Sequence, residues 1–365
     1  MPVEQHFSGS YREAREKFLA AAHAAGLRVD SRVLADERGR DGEELAMDVT
    51  LDGDPDASSL LVLTSACHGV EGYCGSGVQV TALHDEAWRN EAKAKGVAVL
   101  YIHALNPYGF SHIRRATQEN VDLNRNFHDF SKPLPVNTAY REIHPLLFPP
   151  QWPPTEADEQ ALMGWVAKHG QPAFQQAFSA GQHEFPDGVH FGGTSPTWSN
   201  RTLREVLRAH GRRARRLAWI DFHTGLGPSG HGERIYAGPD NAEQVARVRR
   251  WWDGGGKTPI TSIYDGSSTS AKLTGMMFFC VADECPQAEY SGIAMEYGTQ
   301  PLMQVLQGIR GEHWLHQHPQ APKELAAAIK KKMLEAFYTD TPPWKQQIVD
   351  QGMQAMRQAV AGLAS

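Results

Sequence analysis

Histidine and glutamate, two residue types that bind and activate, stand three apart at His68 and Glu71. They follow directly on an apolar run (Leu61, Val62, Leu63, Thr64) with the length and flanks of a buried strand. In open α/β sheets, ligands gather beyond the carboxyl ends of strands, so an imidazole and a carboxylate there can share one cation. The pair reads as two legs of a zinc site. The spacing alone says little, because with 17 His in 365 residues about one His-x-x-Glu is expected by chance. What decides is whether other groups converge there. A second apolar run, 217–222, ends at His223 and then breaks into glycine at Gly225 and Gly227, repeating the order strand, histidine, glycine. A third ligand from a distant strand end is what a three-ligand catalytic zinc site requires. Asp221, two residues before His223 and on the same strand face, is placed to orient His223 or the site's water. A third run, 292–295, leads into Glu296, and a carboxylate at such a place is uncommon unless paired or functional. His183 and His190 are loop candidates, although a lone loop histidine usually binds nothing. His231 and Glu233 form a rival ligand pair, disfavoured because 225–232 reads as a flexible turn.

The elements that must position these groups follow from periodicity. Residues 11–25 read as an amphipathic helix, with Ser10 as N-cap and Gly26 beyond its end. Segments 28–34 and 45–51 alternate around turn signals and predict an antiparallel hairpin at a sheet edge. A buried strand at 60–65, a helix over 76–94 and a strand at 97–104 make a strand-helix-strand unit, whose crossover implies parallel pairing. Later elements are helices at 156–169, 201–210, 242–252, 322–337 and 344–363, with strands at 217–222, 234–237 and 292–295. The expected fold class is α/β: a twisted, mostly parallel mixed sheet of about eight strands with helices on both faces.

Residues 106–127, NPYGFSHIRRATQENVDLNRNF, are polar, with three Arg and four Asn, and follow a strand end. Arg suits two-pronged binding of a carboxylate, and a neighbouring Asn amide adds a donor. Residues 132–200 change character, with PPQWPP and a Gly/Pro/Ser-rich stretch. They have too little continuous apolar pattern for a core of their own, so they read as an insertion covering the site within a single domain spanning 1–365. With 41% apolar residues and a net charge of −6, the chain is globular, and neither nucleic acid nor an anionic membrane is expected as its main partner. The basic cluster at 212–216 reads as a solvated helix end. Four scattered cysteines, a polar N-terminal stretch and no run of 18 apolar residues point to reduced thiols and the cytoplasm.

HGVE, NPYGF, DLNRNF, the late strand-end His and the late strand-end Glu stand in the order found in zinc metallocarboxypeptidases and the related aspartoacylase and succinylglutamate desuccinylase enzymes. The chain resembles that clan over about residues 55–300, and most nearly a bacterial branch known as a domain of unknown function. The resemblance implies His68, Glu71 and His223 as ligands of one zinc per chain, a set also given for carboxypeptidase A in general accounts of zinc sites. It implies Asn124 and Arg125 as the grip on a substrate carboxylate, Arg115 (or Arg114) as the support for the carbonyl oxygen, and Glu296 as general base. A pocket tyrosine is left open among Tyr236, Tyr264 and Tyr290. The expected activity is hydrolysis of an amide bond beside a free carboxylate, in a peptide or N-acyl amino acid. The alternatives are an aspartoacylase-like deacylase or esterase, and an inactive protein that binds carboxylate ligands.

Overall fold

Eight strands run through residues 2–365, which the computed structural model describes: Val29–Arg38 (β1), Glu44–Asp52 (β2), Ser59–Thr64 (β3), Val97–His103 (β4), Arg216–Ser229 (β5), Gly232–Tyr236 (β6), Ile260–Thr261 (β7) and Glu289–Gly298 (β8). They form one sheet in the order β1-β2-β4-β3-β5-β8-β6-β7. The centre, β4-β3-β5-β8, is parallel, as is the edge pair β6/β7. The pairs β1/β2, β2/β4 and β6/β8 are antiparallel. This is the mixed α/β sheet that the pattern of apolar runs predicts, with the expected hairpin at one edge.

Central strands of a parallel sheet are covered on both sides and so are apolar throughout. In β3, Leu61 and Leu63 join one apolar layer, and Leu60 and Val62 join the other. β5 alternates likewise, with Ala218, Ile220 and Phe222 on the first side and Leu217 and Trp219 on the second. Helices Tyr11–Ala24, Gly72–His84 and Pro342–Ala364 pack through Phe18, Val78 and Ile348 into the first layer. Helix Trp198–Gly211 packs through Leu203 into the second. Its far end releases Arg212 and Arg213 to solvent, as expected of the basic cluster.

Three departures from the sequence reading have local causes. The single helix expected over 76–94 is two, Gly72–His84 and Glu86–Ala94. Asp85 between them caps the second by accepting from Trp88 N at 2.9 Å. Helix Leu302–Gln317 was not anticipated: Gly308 and Gly311 weaken its signal but allow close approach of Ala336 and Trp152. Residues 132–200 are richer than expected, with helices Thr138–Leu147, Glu156–His169 and Gln171–Ser179. Their Ile143, Leu162, Phe174 and Phe178 extend the first apolar layer. Arg310 Nε ties them to Leu302–Gln317 by donating to Leu147 O at 3.0 Å. No helix among the described residues is long and apolar enough to cross a membrane.

A very tight backbone contact lies beside His68. A Cβ on Gly69 would sit 2.0 Å from Gly109 C, whereas one on Gly164, in the middle of an outer helix, would meet nothing within 4 Å. Gly69→Ala should therefore lower stability by about 1–3 kcal/mol. Gly164→Ala should raise it by about 0.5–1 kcal/mol. Urea unfolding midpoints of the two variants check this opposition of sign.

Candidate metal centre and its cleft

β3 ends at Thr64, and His68 then leads into the single turn Gly69–Glu71, which continues into helix Gly72–His84. The turn folds Glu71 back, so that His68 Nδ1 lies 2.8 Å from Glu71 Oε1. Parallel pairing sets Asp221 level with Thr64. His223 therefore stands two residues past the end of β3, its Nδ1 2.9 Å from Glu71 Oε2. On the other side of β5, the register sets Glu296 level with His223. Leu226 N donates to Glu296 Oε1 at 3.1 Å. The three candidate ligands are buried, and their ligand atoms all lie within 4.8 Å of one another.

Each imidazole is backed by a carboxylate. His68 Nε2 lies 3.2 Å from Asp122 Oδ1, and His223 Nε2 abuts Asp221 Oδ2. Protons held at both Nε2 atoms leave both Nδ1 lone pairs directed at the Glu71 side, the arrangement in which outer carboxylates prepare histidines for a metal. The charges agree. Glu71, Asp122, Asp221 and Glu296 are buried together against two guanidiniums, Arg115 and Arg125, which when all are ionised leaves two negative charges for a divalent cation to balance. Burial opposes charge on His223, but Asp221 and Glu71 outweigh it and raise its pKa well above the ordinary value. A cation held there takes the place of that proton. Burial, and then the Glu71 carboxylate, push Glu296 up to about 8, with His223 opposing. The donor set of two imidazoles and a carboxylate suits zinc. A second cluster, Cys67, Asp221 and His223, shares one residue with the first. It is less suited to catalysis because Cys67 and Asp221 do not reach the cleft and Asp221 Oδ1 is taken by Thr64 Oγ1 at 2.5 Å.

The cleft is lined by His68, Glu71, His223, Glu296, Arg115, Asn124 and Arg125. The backbone explains how Arg115 arrives: Gly69 N donates to Arg115 O at 3.1 Å and Val70 N to Arg114 O at 2.8 Å. Arg115 Nε donates to Asp122 Oδ2 at 3.0 Å and Nη1 to Glu71 Oε1 at 3.1 Å, while Nη2 reaches His68 Nε2 at 2.7 Å. The last contact needs a lone pair on His68 Nε2 and the Asp122 contact needs a proton there, so the two are alternatives tied to the histidine tautomer. Asn124 Oδ1 accepts from Met277 N at 3.0 Å, and Arg125 Nε and Nη2 donate to Ser179 O at 3.0 and 2.7 Å.

Other candidates fall away from the cleft. Arg114, the alternative to Arg115, points into the protein, where its Nε donates to Glu312 Oε1 at 2.9 Å and Nη2 to Asn120 Oδ1 at 2.9 Å. Adjacent residues of this loop face opposite ways, and Arg114 is a structural group. Of the three tyrosines only Tyr236 lines the cleft, and its hydroxyl donates to Pro239 O at 2.8 Å. Tyr264 and Tyr290 donate to Gly238 O and Ala237 O. His183 is bonded to Gly193 O outside the cleft, His231 is exposed, and Glu233 accepts from Thr261 and Thr269. His190, in contrast, lines the cleft, but as a partner of Asp122 rather than as a member of the ligand cluster.

Asp122 is the residue that sequence reasoning overlooked. It lies inside NVDLNRNF, the most specific of the motifs, and that position was the available signal. Burial would raise its pKa, but Arg115, Arg125 and His68 hold it well below the usual carboxylate range.

With this geometry in view, the fold can be placed. It is similar to that of bovine thrombin-activatable fibrinolysis inhibitor, in its complex with a tick carboxypeptidase inhibitor, at 9% identity over 99% of this chain and 98% of that one, with a TM-score of 0.51. Carboxypeptidase A from Helicoverpa armigera aligns at 12% identity over 98% of this chain and 74% of that one, with a TM-score of 0.48. The first of these likenesses shows a carboxypeptidase-like fold, and a candidate metal cluster lies at its strand ends. More particularly, the chain belongs to the family described as "Protein of unknown function (DUF2817)", which matches residues 7–351. No curated protein matches the sequence.

Asp122→Asn keeps the shape but not the charge that anchors His68 and both arginines, and should weaken metal affinity about 10–100-fold. Competition against a chelator measures it. Glu312 provides a second check on the charge assignments. Burial raises its pKa, but Arg114 and Lys330 hold it at about 2. A carboxyl depressed on folding adds stability that is present above its ordinary value of 4.5 and lost as pH falls towards 2. Glu312→Gln should remove that part of the acid slope, read from stability curves across this range.

Proposed function

We propose that the chain is a zinc-dependent hydrolase that cleaves an amide bond next to a free carboxylate, in a peptide or an N-acyl amino acid. The observation that carries this reading is the meeting of His68, Glu71, His223 and Glu296 in one cleft that also presents Asn124 and Arg125. The fold shared with a protein bound by a carboxypeptidase inhibitor agrees with it.

His68 and His223, through Nδ1, and Glu71 would hold one zinc per chain. When bound, zinc supplies a Lewis acid that lowers the pKa of water towards about 7. Glu296 takes the proton of the attacking water and passes it to the leaving nitrogen, a role for which burial keeps its basicity high. Asn124 Nδ2 and Arg125 hold the substrate carboxylate and so fix the neighbouring amide over the ligand cluster. Arg115, released from His68 when that ring carries its proton on Nε2, supports the charge that develops on the carbonyl oxygen. The rest of the cleft wall is largely apolar, including Ile235, Ile263, Met276, Phe278 and Ala294, which suits an apolar side chain beside the carboxylate. In this reading residues 132–200 belong to the same 1–365 domain and close one side of the cleft through Phe174 and Phe178.

Elemental analysis should find about one zinc per chain in wild type and none in His223→Ala. Glu296→Gln should keep the zinc and lose roughly 10²–10⁴ in turnover on N-acyl amino acids and short peptides. Unimpaired hydrolysis by Glu296→Gln would remove it as the base, and a metal-free wild type after dialysis against zinc would remove the hydrolase.

A further inference from the structure

His190 stands in the cleft wall, and the reaction outlined above does not use it. Its side chain is 4% exposed, and Nδ1 lies 2.9 Å from Asp122 Oδ2. Phe178 meets the ring edge-on, with centroids 4.9 Å apart. Nε2 is buried and has no hydrogen-bond partner among the described residues. A polar atom so placed is unfavourable unless something else satisfies it.

Which kind of partner Nε2 needs follows from the other end of the ring. Asp122 Oδ2 accepts from Arg115 Nε and Oδ1 from the backbone N–H of Asn124, so this carboxylate is turned to donors on every side and the proton between it and His190 belongs to Nδ1. Burial lowers the ring's own pKa, Asp122 pulls it up, and Arg115 and Arg125 push it down again, which leaves it at about 3. A neutral imidazole protonated at Nδ1 presents a lone pair at Nε2. That lone pair accepts from an N–H and repels a carboxylate oxygen.

We propose that His190 is a specificity-determining residue of this cleft, whose Nε2 accepts a hydrogen bond from an N–H of the substrate, so that amides are favoured over the matching esters. The proposal rests on the hydrolase reading above and adds the substrate's donor to it.

Two variants separate the two ends of the ring. The backbone at residue 190 is left-handed, with φ of 50°, a conformation that Asn also adopts readily. In His190→Asn the side-chain amide nitrogen can replace Nδ1 against Asp122, but nothing replaces Nε2. In His190→Gln a carbonyl oxygen can reach the Nε2 position. The substrates are an N-acyl amino acid and its ester analogue, in which oxygen replaces the N–H. On the amide, His190→Asn should lose about tenfold in kcat/KM, with His190→Gln recovering most of it. The ester lacks that N–H, so any loss shared by both substrates reports the contact with Asp122 alone, and the amide-to-ester ratio of kcat/KM should fall about tenfold in His190→Asn and return towards the wild-type ratio in His190→Gln. Nitrogen-15 spectra of histidine-labelled, zinc-loaded wild type give a readout independent of turnover. They should show Nδ1 of His190 protonated, and an Nε2 signal that moves with a bound N-acyl amino acid analogue but not with its ester counterpart.

Equal losses on amide and ester, or a proton on Nε2, overturn the role of His190 and leave the hydrolase reading standing. If zinc-loaded wild type neither binds nor cleaves either compound, the hydrolase reading fails and this proposal fails with it.

Discussion

The carboxylate of Asp122 is the ion on which the geometry of the cleft depends. A buried charge must be paired from several sides, and removing one partner leaves the rest uncompensated. Asp122 is met by His68 from the end of β3, by Arg115 and Arg125 from its own loop, by His190 from the 132–200 segment, and by the backbone N–H of Asn124 at 3.0 Å. Three stretches distant in sequence are thereby held to one point. The same carboxylate faces ring nitrogens of two histidines, one in the candidate ligand cluster and one in the cleft wall. A structural ion pair and the chemistry of the site are here a single interaction.

The sheet supplies the other half of the arrangement. β5 lies beside β3 and β8 beside β5, all parallel, so their carboxyl ends open on the same side. Regular hydrogen-bonded register then sets His223 next to Glu296 without help from any loop. The turn holding His68 and Glu71 needs more. Gly69 lets the backbone at 109–110 approach within what would be the radius of a side chain, and the resulting hydrogen bonds bring the 114–115 loop against Glu71. Small residues in HGVEGYCGSG therefore mark tight packing as well as a turn. This is why helix Gly72–His84 begins four residues before the position that propensity suggests.

Much of this was legible before the structure. The apolar runs at 60–65, 217–222 and 292–295 are strands because period-two burial on both faces leaves a continuous apolar trace. The polar residues that end them, His68, Glu71, His223 and Glu296, do come together. The helix Leu302–Gln317 was hidden because its glycines, chosen for contact with Trp152 and Ala336, weaken the local pattern. Arg115 is preferred over Arg114 only through the family resemblance, since neighbours in an irregular loop have no period to assign them to a face. His190 looked like an ordinary loop histidine, because nothing within its own segment shows that Asp122 lies against it.

From the sequence alone came the class of the sheet, the strand ends that carry histidine and carboxylate, and the kinds of chemistry those side chains permit. These rest on local periodicity and on the donor and acceptor character of each residue, which do not depend on distant contacts. Only the tertiary structure decided which arginine faces the cleft, that Asp122 is the shared partner of His68 and His190, and that the tyrosine hydroxyls are already occupied. Those outcomes depend on the pairing of buried charges and polar atoms across long sequence separations, where the requirement that each be satisfied selects one arrangement of side chains.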